Sequence, residues 1–250
     1  MTIALFITCL TETFYPRSGI AVVKVLEHLG HRLVFPQAQT CCGQPMFNNG
    51  YHDDARDLAR RLIRVFDEFE TIVTPSASCA SMIREYYPSL FGAGSEARAR
   101  AEALAKKTYE FVEYLTRVQN IDLRSLGVTW QGSVTYHPSC HLRSLGMRDE
   151  PEQLISQIEG IDLRPLAHRE ECCGFGGSFA VNYPKISASM VRDKVADIQA
   201  SGAETLVCNE AGCTMNIAGA CRRQGLDIRT KSLAEIIAEG LGLLDSETES

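Results

Sequence analysis

The chain has 250 residues, 45% hydrophobic and 22% charged, with a formal net charge of −6. That length buries a large core, as one domain or as two close-packed halves, and the composition is that of an ordinary globular protein. No Lys/Arg run interleaved with aromatics appears, so no nucleic acid partner is expected, and no apolar run approaches the roughly 20 residues of a transmembrane segment. The opening Met-Thr-Ile-Ala-Leu-Phe-Ile has no basic n-region and no cleavage site. It reads as a first strand, and a cytoplasmic protein is expected.

Residues 3–8 read as a buried strand ending at Cys9. A helix over about 18–29 places Val22, Val25, Leu26 and Leu29 on one face, with Gly30 as its stop. Arg32–Phe35 is a second strand leading into Cys41-Cys42-Gly43. Asp53 and Asp54 open a helix with Ala55, Leu58, Leu62, Ile63, Phe66 and Phe69 inward. Residues 71–74 form a third strand, followed by the Pro75–Cys79 loop and a short helix to about Tyr87. After Gly92-Ala93-Gly94, an Ala/Arg/Glu-rich stretch reads as one long amphipathic helix to about residue 118, a connector.

The plan then repeats. A strand at 133–136 leads to Cys140, a helix covers about 151–158, and a strand near 162–166 leads to Cys172-Cys173-Gly174. A helix over about 184–199, a strand at 205–208, a helix starting at Cys213 and a strand at 226–229 follow. Ser232-x-x-Glu235 is a capping box opening the last helix. The expected organisation is a first cysteine-rich half over 1–92, a helical connector over 93–130, a second half over 131–244 and a frayed acidic tail over 245–250. Strands alternating with helices imply an α/β fold of two Rossmann-like halves with parallel sheets and right-handed crossovers.

The cysteines carry the repeat. Cys9 and Cys140, and the pairs Cys41-Cys42 and Cys172-Cys173, are each 131 residues apart, while Cys79 and Cys213 are 134 apart. Each falls after a predicted strand, and open parallel sheets bind ligands beyond the carboxyl ends of their strands. Two sets thus converge: Cys9, Cys41, Cys42 and Cys79; and Cys140, Cys172, Cys173 and Cys213. Ten cysteines without an export signal point to metal ligation or thiol chemistry rather than a disulfide framework.

Four soft thiolates select zinc or an iron–sulfur cluster. No C-x2-C hook of a zinc ribbon is present. Adjacent cysteines need a tight turn, which Gly43 and Gly174 supply through positive φ, and such a pair suits a polynuclear cluster. Buried free cysteines acting as small hydrophobes are the bland alternative. Cys221 reads as core; Cys208 reads as packing or an alternate ligand. His137, His141 and His168 flank the second set and can tune it or deliver protons. No residue is singled out as catalytic.

With the stretches Leu5–Cys9, Cys41-Cys42-Gly43-Gln44-Pro45, Pro75–Cys79, His137-Pro138-Ser139-Cys140, Cys172–Gly177 and Gly212–Ile217, the chain resembles the family of duplicated CCG cysteine-rich domain proteins. That family includes the CCG-containing chain of heterodisulfide reductase, the iron–sulfur subunit of glycolate oxidase and, over nearly the whole chain, the lactate utilization A proteins. The resemblance implies an iron–sulfur oxidoreductase component. It would work with two further lactate utilization proteins, one of them ferredoxin-like, in oxidising L-lactate to pyruvate. The broader family closes each half with C-x2-C, but Ser76 and Glu210 stand where the first of those cysteines would. Four ligands per half therefore imply a 4Fe-4S cluster, with zinc in one half as the variant. No G-x-G-x-x-G follows a strand, so a flavin would come from a partner. The alternatives are a thiol–disulfide reductase subunit of the heterodisulfide type and a non-catalytic zinc scaffold.

Overall fold

The computed structural model describes residues 1–245; the expected frayed tail lies, from residue 246 on, outside the described residues. Eight strands make two four-stranded, all-parallel sheets. The first contains β1 (Thr2–Leu5), β2 (Arg32–Val34), β3 (Ile72–Thr74) and β4 (Thr108–Glu110) in the order β2-β1-β3-β4. The second contains β5 (Thr129–Tyr136), β6 (Glu159–Leu163), β7 (Thr205–Val207) and β8 (Arg229–Lys231) in the order β6-β5-β7-β8. The duplicated α/β architecture expected from the repeat is present. β1 is an unbroken apolar run because helices cover both faces of its sheet; Ile3, Ala4 and Leu5 are all buried.

In both sheets the strand order reverses between the two central strands, β1/β3 and β5/β7. Connections leave that point in opposite directions, so a crevice opens beyond the strand ends. Cys9 and Cys79 follow β1 and β3; Cys140 and Cys213 follow β5 and β7. The topology itself brings the cysteine loops to one edge.

The helices form as their periodicity dictates. His52–Phe66 buries Ala55, Ala59, Leu62, Ile63 and Phe66 and carries Asp53 and Asp54 in its first turn, where the helix dipole favours them. Pro16–His28 starts with proline at its first position and packs its Ala21, Val22, Val25 and Leu26 face against the terminal helix Leu233–Gly240. The terminal helix opens with the expected Ser232/Glu235 capping box.

Two expectations are corrected. The long helix across 92–118 stops at Lys106, because Thr108-Tyr109-Glu110 pairs with Ile72–Thr74 as the edge strand β4. Glu110 then accepts from the backbone N–H of Val112 and Glu113 and starts a new helical stretch. The strand placed at 226–229 instead spans Arg229–Lys231, because the register opposite β7 begins at Thr205↔Arg229.

The halves share one core. Ile3, Leu5, Val22 and Leu26 belong to the same buried cluster as Val134, Tyr136, Leu233 and Ile237. The packing between halves is reciprocal: the helix Cys9–Phe14 meets Ala211–Arg223, while Ala77–Ser81 meets Cys140–Ser144. Each contact is the repeat-equivalent of the other. Among the described residues, no helix is long and apolar enough to cross a membrane.

Candidate metal centre

In each half the adjacent cysteines are shaped by the glycine that follows. Gly43 has φ +83° and Gly174 has φ +78°. A Cβ on Gly174 would lie 2.8 Å from the Ser187 carbonyl oxygen and 2.9 Å from Met190 Cβ, so only glycine fits there. The turn aims the glycine N–H back at the first cysteine of each pair: Gly43 N–H donates to Cys41 Sγ at 3.5 Å, and Gly174 N–H donates to Cys172 Sγ at 3.4 Å. The carbonyl of the second cysteine is pinned as well. Tyr87 Oη donates to the Cys42 oxygen at 2.8 Å, and Asn216 Nδ2 to the Cys173 oxygen at 2.8 Å. Cys79 is set by a helix whose N-cap, Ser76, accepts from the Cys79 N–H at 3.4 Å.

All eight predicted cysteines come together. In the first half Cys9, Cys41, Cys42 and Cys79 line one wall of a cavity, and Cys42 Sγ lies 3.2 Å from Cys79 Sγ. In the second half Cys172 bonds with Cys140 and Cys173, and Cys173 Sγ lies 2.9 Å from Cys213 Sγ. Exposure follows the same gradient in both: Cys9 and Cys140 are exposed, Cys41 and Cys172 intermediate, and Cys42, Cys79, Cys173 and Cys213 buried. The two sets line a single cavity of about 340 Å³ together with Gln44, Ser76, Ser78, His141 and Glu210.

The electrostatics of each set are those of four sulfurs sharing too few protons. Hydrogen bonds from Cys42 and Cys9 hold the Cys41 thiol down at about 2. Those from Cys140 and Cys173 hold Cys172 at about 2. The neighbours move the other way. The bond to Cys41 raises Cys9 and Cys42, and the bond to Cys172 raises Cys140 and pushes Cys173 up to about 12; Cys213 rises through its bond with Cys173. One thiolate per set is stabilised, and ionising the rest requires positive charge at the centre. Soft donors clustered this way, with backbone N–H groups on sulfur, fit an iron–sulfur cluster or zinc.

The remaining cysteines and the histidines separate. Cys221 packs in the core. Cys208 is buried and in hydrogen-bond contact with Cys213, but lies outside the cavity lining. His168 is largely exposed beside Glu171, away from the cavity. His141 lies on the cavity wall, with Nδ1 3.7 Å from Cys140 Sγ and Nε2 3.2 Å from Gln44 Nε2 of the other half. His137 is buried, and its donor atom lies within 4.8 Å of Cys173 Sγ and Cys213 Sγ. Burial, then the nearby Lys194 charge, pull its pKa down to about 3, so the ring is neutral.

Two features escaped sequence reasoning. Lys194 is fully buried, donating to the His168 carbonyl oxygen at 2.6 Å and pairing with Asp197 at 3.5 Å. No pattern in the sequence marks it, since lysine is ordinarily an exposed residue. Glu210 crosses between halves to accept from Ser76 Oγ at 3.2 Å, Ser78 Oγ at 3.0 Å and Ser78 N–H at 2.9 Å. The signal was its repeat-equivalence to Ser76, which marked both positions without pairing them.

The family model "CCG: Cysteine-rich domain" matches residues 3–84 and 134–218, one copy per half. Lactate utilization protein A 2 of Bacillus cereus (strain AH820) is 42% identical over 247 residues, covering 96% of this chain and 99% of that one. The chain belongs to the lactate utilization A family of CCG proteins. Lactate utilization protein A of Shouchella clausii is 44% identical over 238 residues, covering 95% of this chain and 98% of its own. Among solved structures, glutamate racemase from Francisella tularensis gives a TM-score of 0.37 at 11% identity, covering 97% of this chain and 80% of that chain. Within this lactate utilization A chain, the repeat-equivalent Ser76 and Glu210 form a bond between the halves.

Proposed function

We propose that the chain is an iron–sulfur, electron-transferring component of a complex that oxidises L-lactate to pyruvate. Cys140, Cys172, Cys173 and Cys213 hold one cluster, of the 4Fe-4S type, and Cys9, Cys41, Cys42 and Cys79 hold a second cluster or a zinc ion. The observation that carries the reading is the convergence of both cysteine sets on one cavity. The names of the relatives supply the lactate assignment.

Oxidising lactate to pyruvate releases two electrons and two protons. When bound, a cluster at the second set, and at the first if that set holds a cluster and not zinc, would supply a one-electron acceptor. The chain's own residues do the rest. Gly43 and Gly174 N–H groups neutralise sulfur charge. His141, on the wall beside Cys140, is the side chain placed to pass protons to the second centre. With no nucleotide-binding glycine loop after a strand, the hydride from lactate goes to a flavin or nicotinamide on a partner protein. Two further lactate utilization proteins, one ferredoxin-like, are the partners proposed. The cytoplasm is the compartment in which ten free thiols stay reduced.

A second reading, thiol–disulfide reduction, draws on the close thiol pairs Cys42/Cys79 and Cys173/Cys213. Anaerobic purification with iron and acid-labile sulfide analysis, followed by single turnover against a small disulfide, separates the two. Iron and sulfide without disulfide cleavage support electron transfer. A colourless, zinc-replete protein without iron overturns it in favour of a scaffold. Deleting the gene should abolish growth on lactate in a strain without a substitute dehydrogenase, and normal growth would remove the lactate assignment.

A further inference from the structure

One buried side chain beside the second cysteine set has no partner. His137 is 1% exposed, and neither ring nitrogen has a hydrogen bond among the described residues. Folded proteins leave few buried polar atoms unsatisfied, and a metal ion satisfies an imidazole nitrogen as well as a hydrogen bond does. The ring is also aimed. One of its nitrogens, Cys173 Sγ and Cys213 Sγ all lie within 4.8 Å of one another, a spread that a single ion can span.

The first half has no such donor. At the repeat offset of 131, His137 corresponds to Phe6, which packs edge-on against Phe66 with ring centroids 5.7 Å apart. The difference extends to the covering helix. Gly43 abuts Ala55 and Leu58, and Gly174 abuts Ser187 and Met190, so the two helices align at an offset of 132. That alignment sets the buried Lys194 against the buried Leu62. At these two aligned positions the first half has Phe6 and Leu62, where the second has an imidazole and a buried cation.

We propose that His137 is a nitrogen ligand of the second metal centre, beside the Cys173 and Cys213 sulfurs, while the first centre is ligated by sulfur alone. The proposal rests on the reading above that this cysteine set holds metal. A mixed sulfur–nitrogen set suits iron or zinc, the metals that accept both thiolate and imidazole. A neutral imidazole would bring the second centre a further donor without adding negative charge to it.

The test uses the full chain, purified anaerobically and labelled with 15N at histidine only. Pulsed electron paramagnetic resonance is read on bound iron, or on cobalt(II) replacing zinc if zinc is the native metal. A strong 15N coupling is expected in the wild type, unchanged in His141→Gln and lost in His137→Phe, the residue type of the first half. If His137→Phe does not fold, His137→Gln replaces it. Metal-loaded wild type without a strong coupling, or a coupling that survives in the His137 variants, overturns the inference and leaves the metal reading standing. A wild type that takes up neither iron nor zinc overturns both.

Discussion

Ser76 and Glu210 occupy equivalent positions in the two halves and bond directly to each other, Ser76 Oγ to Glu210 Oε1 at 3.2 Å. Each sits at the N-cap of the helix that carries the last cysteine of its half's set, Cys79 or Cys213. The bond therefore sets both cysteines relative to one another as well as joining the halves. Glu210→Ala removes a buried acceptor from Ser76 Oγ, Ser78 Oγ and Ser78 N–H, and is expected to cost about 2–3 kcal/mol of metal-free stability. Urea unfolding measures it. A loss within experimental error would mean that water replaces the carboxylate without penalty.

Cys173→Ser is expected to lose the metal of the second half and keep that of the first, whereas Cys221→Ser keeps both. Cys173 Sγ touches Cys213 Sγ at 2.9 Å on the cavity wall, while Cys221 is packed in the core. Iron and zinc analysis of the two proteins reads the difference; equal retention refutes the ligand assignment.

Gly174→Ala is expected to be more damaging than Gly43→Ala. Both glycines have φ near +80°, which costs alanine about 1 kcal/mol. At Gly174 the new methyl also meets a backbone oxygen at 2.8 Å, whereas at Gly43 the nearest atom is 3.4 Å away. The Gly174 variant should lose a further 1–2 kcal/mol or so. Equal midpoints in urea for the two variants would contradict this.

Glu110 supplies a pH dependence. Its carboxyl is fully buried between the halves, and burial pushes its pKa up to about 8, against smaller opposing bonds from the Glu113 and Val112 N–H groups. The folded state therefore holds this proton more tightly than the unfolded chain. Stability from the protonated form is complete below the ordinary carboxylate range, about 4.5, and is lost as pH rises through about 8. Glu110→Gln keeps an oxygen for the two N–H groups and cannot ionise. Relative to wild type it is expected to gain on the order of 2–4 kcal/mol between pH 5 and pH 9. Urea midpoints of the two proteins across that range measure the difference, and parallel curves would exclude it.

What the sequence made legible was what repeats. Matched spacing of Cys9, Cys41, Cys42 and Cys79 with Cys140, Cys172, Cys173 and Cys213 identified both sulfur sets, and strand–helix alternation identified the parallel sheets. What stayed hidden depends on contacts between the halves or on departures from the repeat. β4 was hidden in a helical composition because its three residues become a strand only when β3 offers an edge. The burial of Lys194 has no sequence signal, because it depends on how its helix packs. The sharing of one cavity by both sets was illegible because spacing along the chain carries nothing about how two lobes face each other.

The reciprocal packing of Cys9–Phe14 on Ala211–Arg223 and of Ala77–Ser81 on Cys140–Ser144 is the contact pattern of a two-fold symmetric dimer held in one polypeptide. In a true homodimer of a single lobe, whatever stood at position 76 would face its own copy: serine against serine, or two carboxylates repelling across the axis. Lobes of unlike sequence, here joined in one chain, let a hydroxyl donor meet a carboxylate acceptor there. The same freedom from symmetry lets one lobe keep a phenylalanine where the other carries an imidazole, so linkage of the lobes is what permits a division of labour between them.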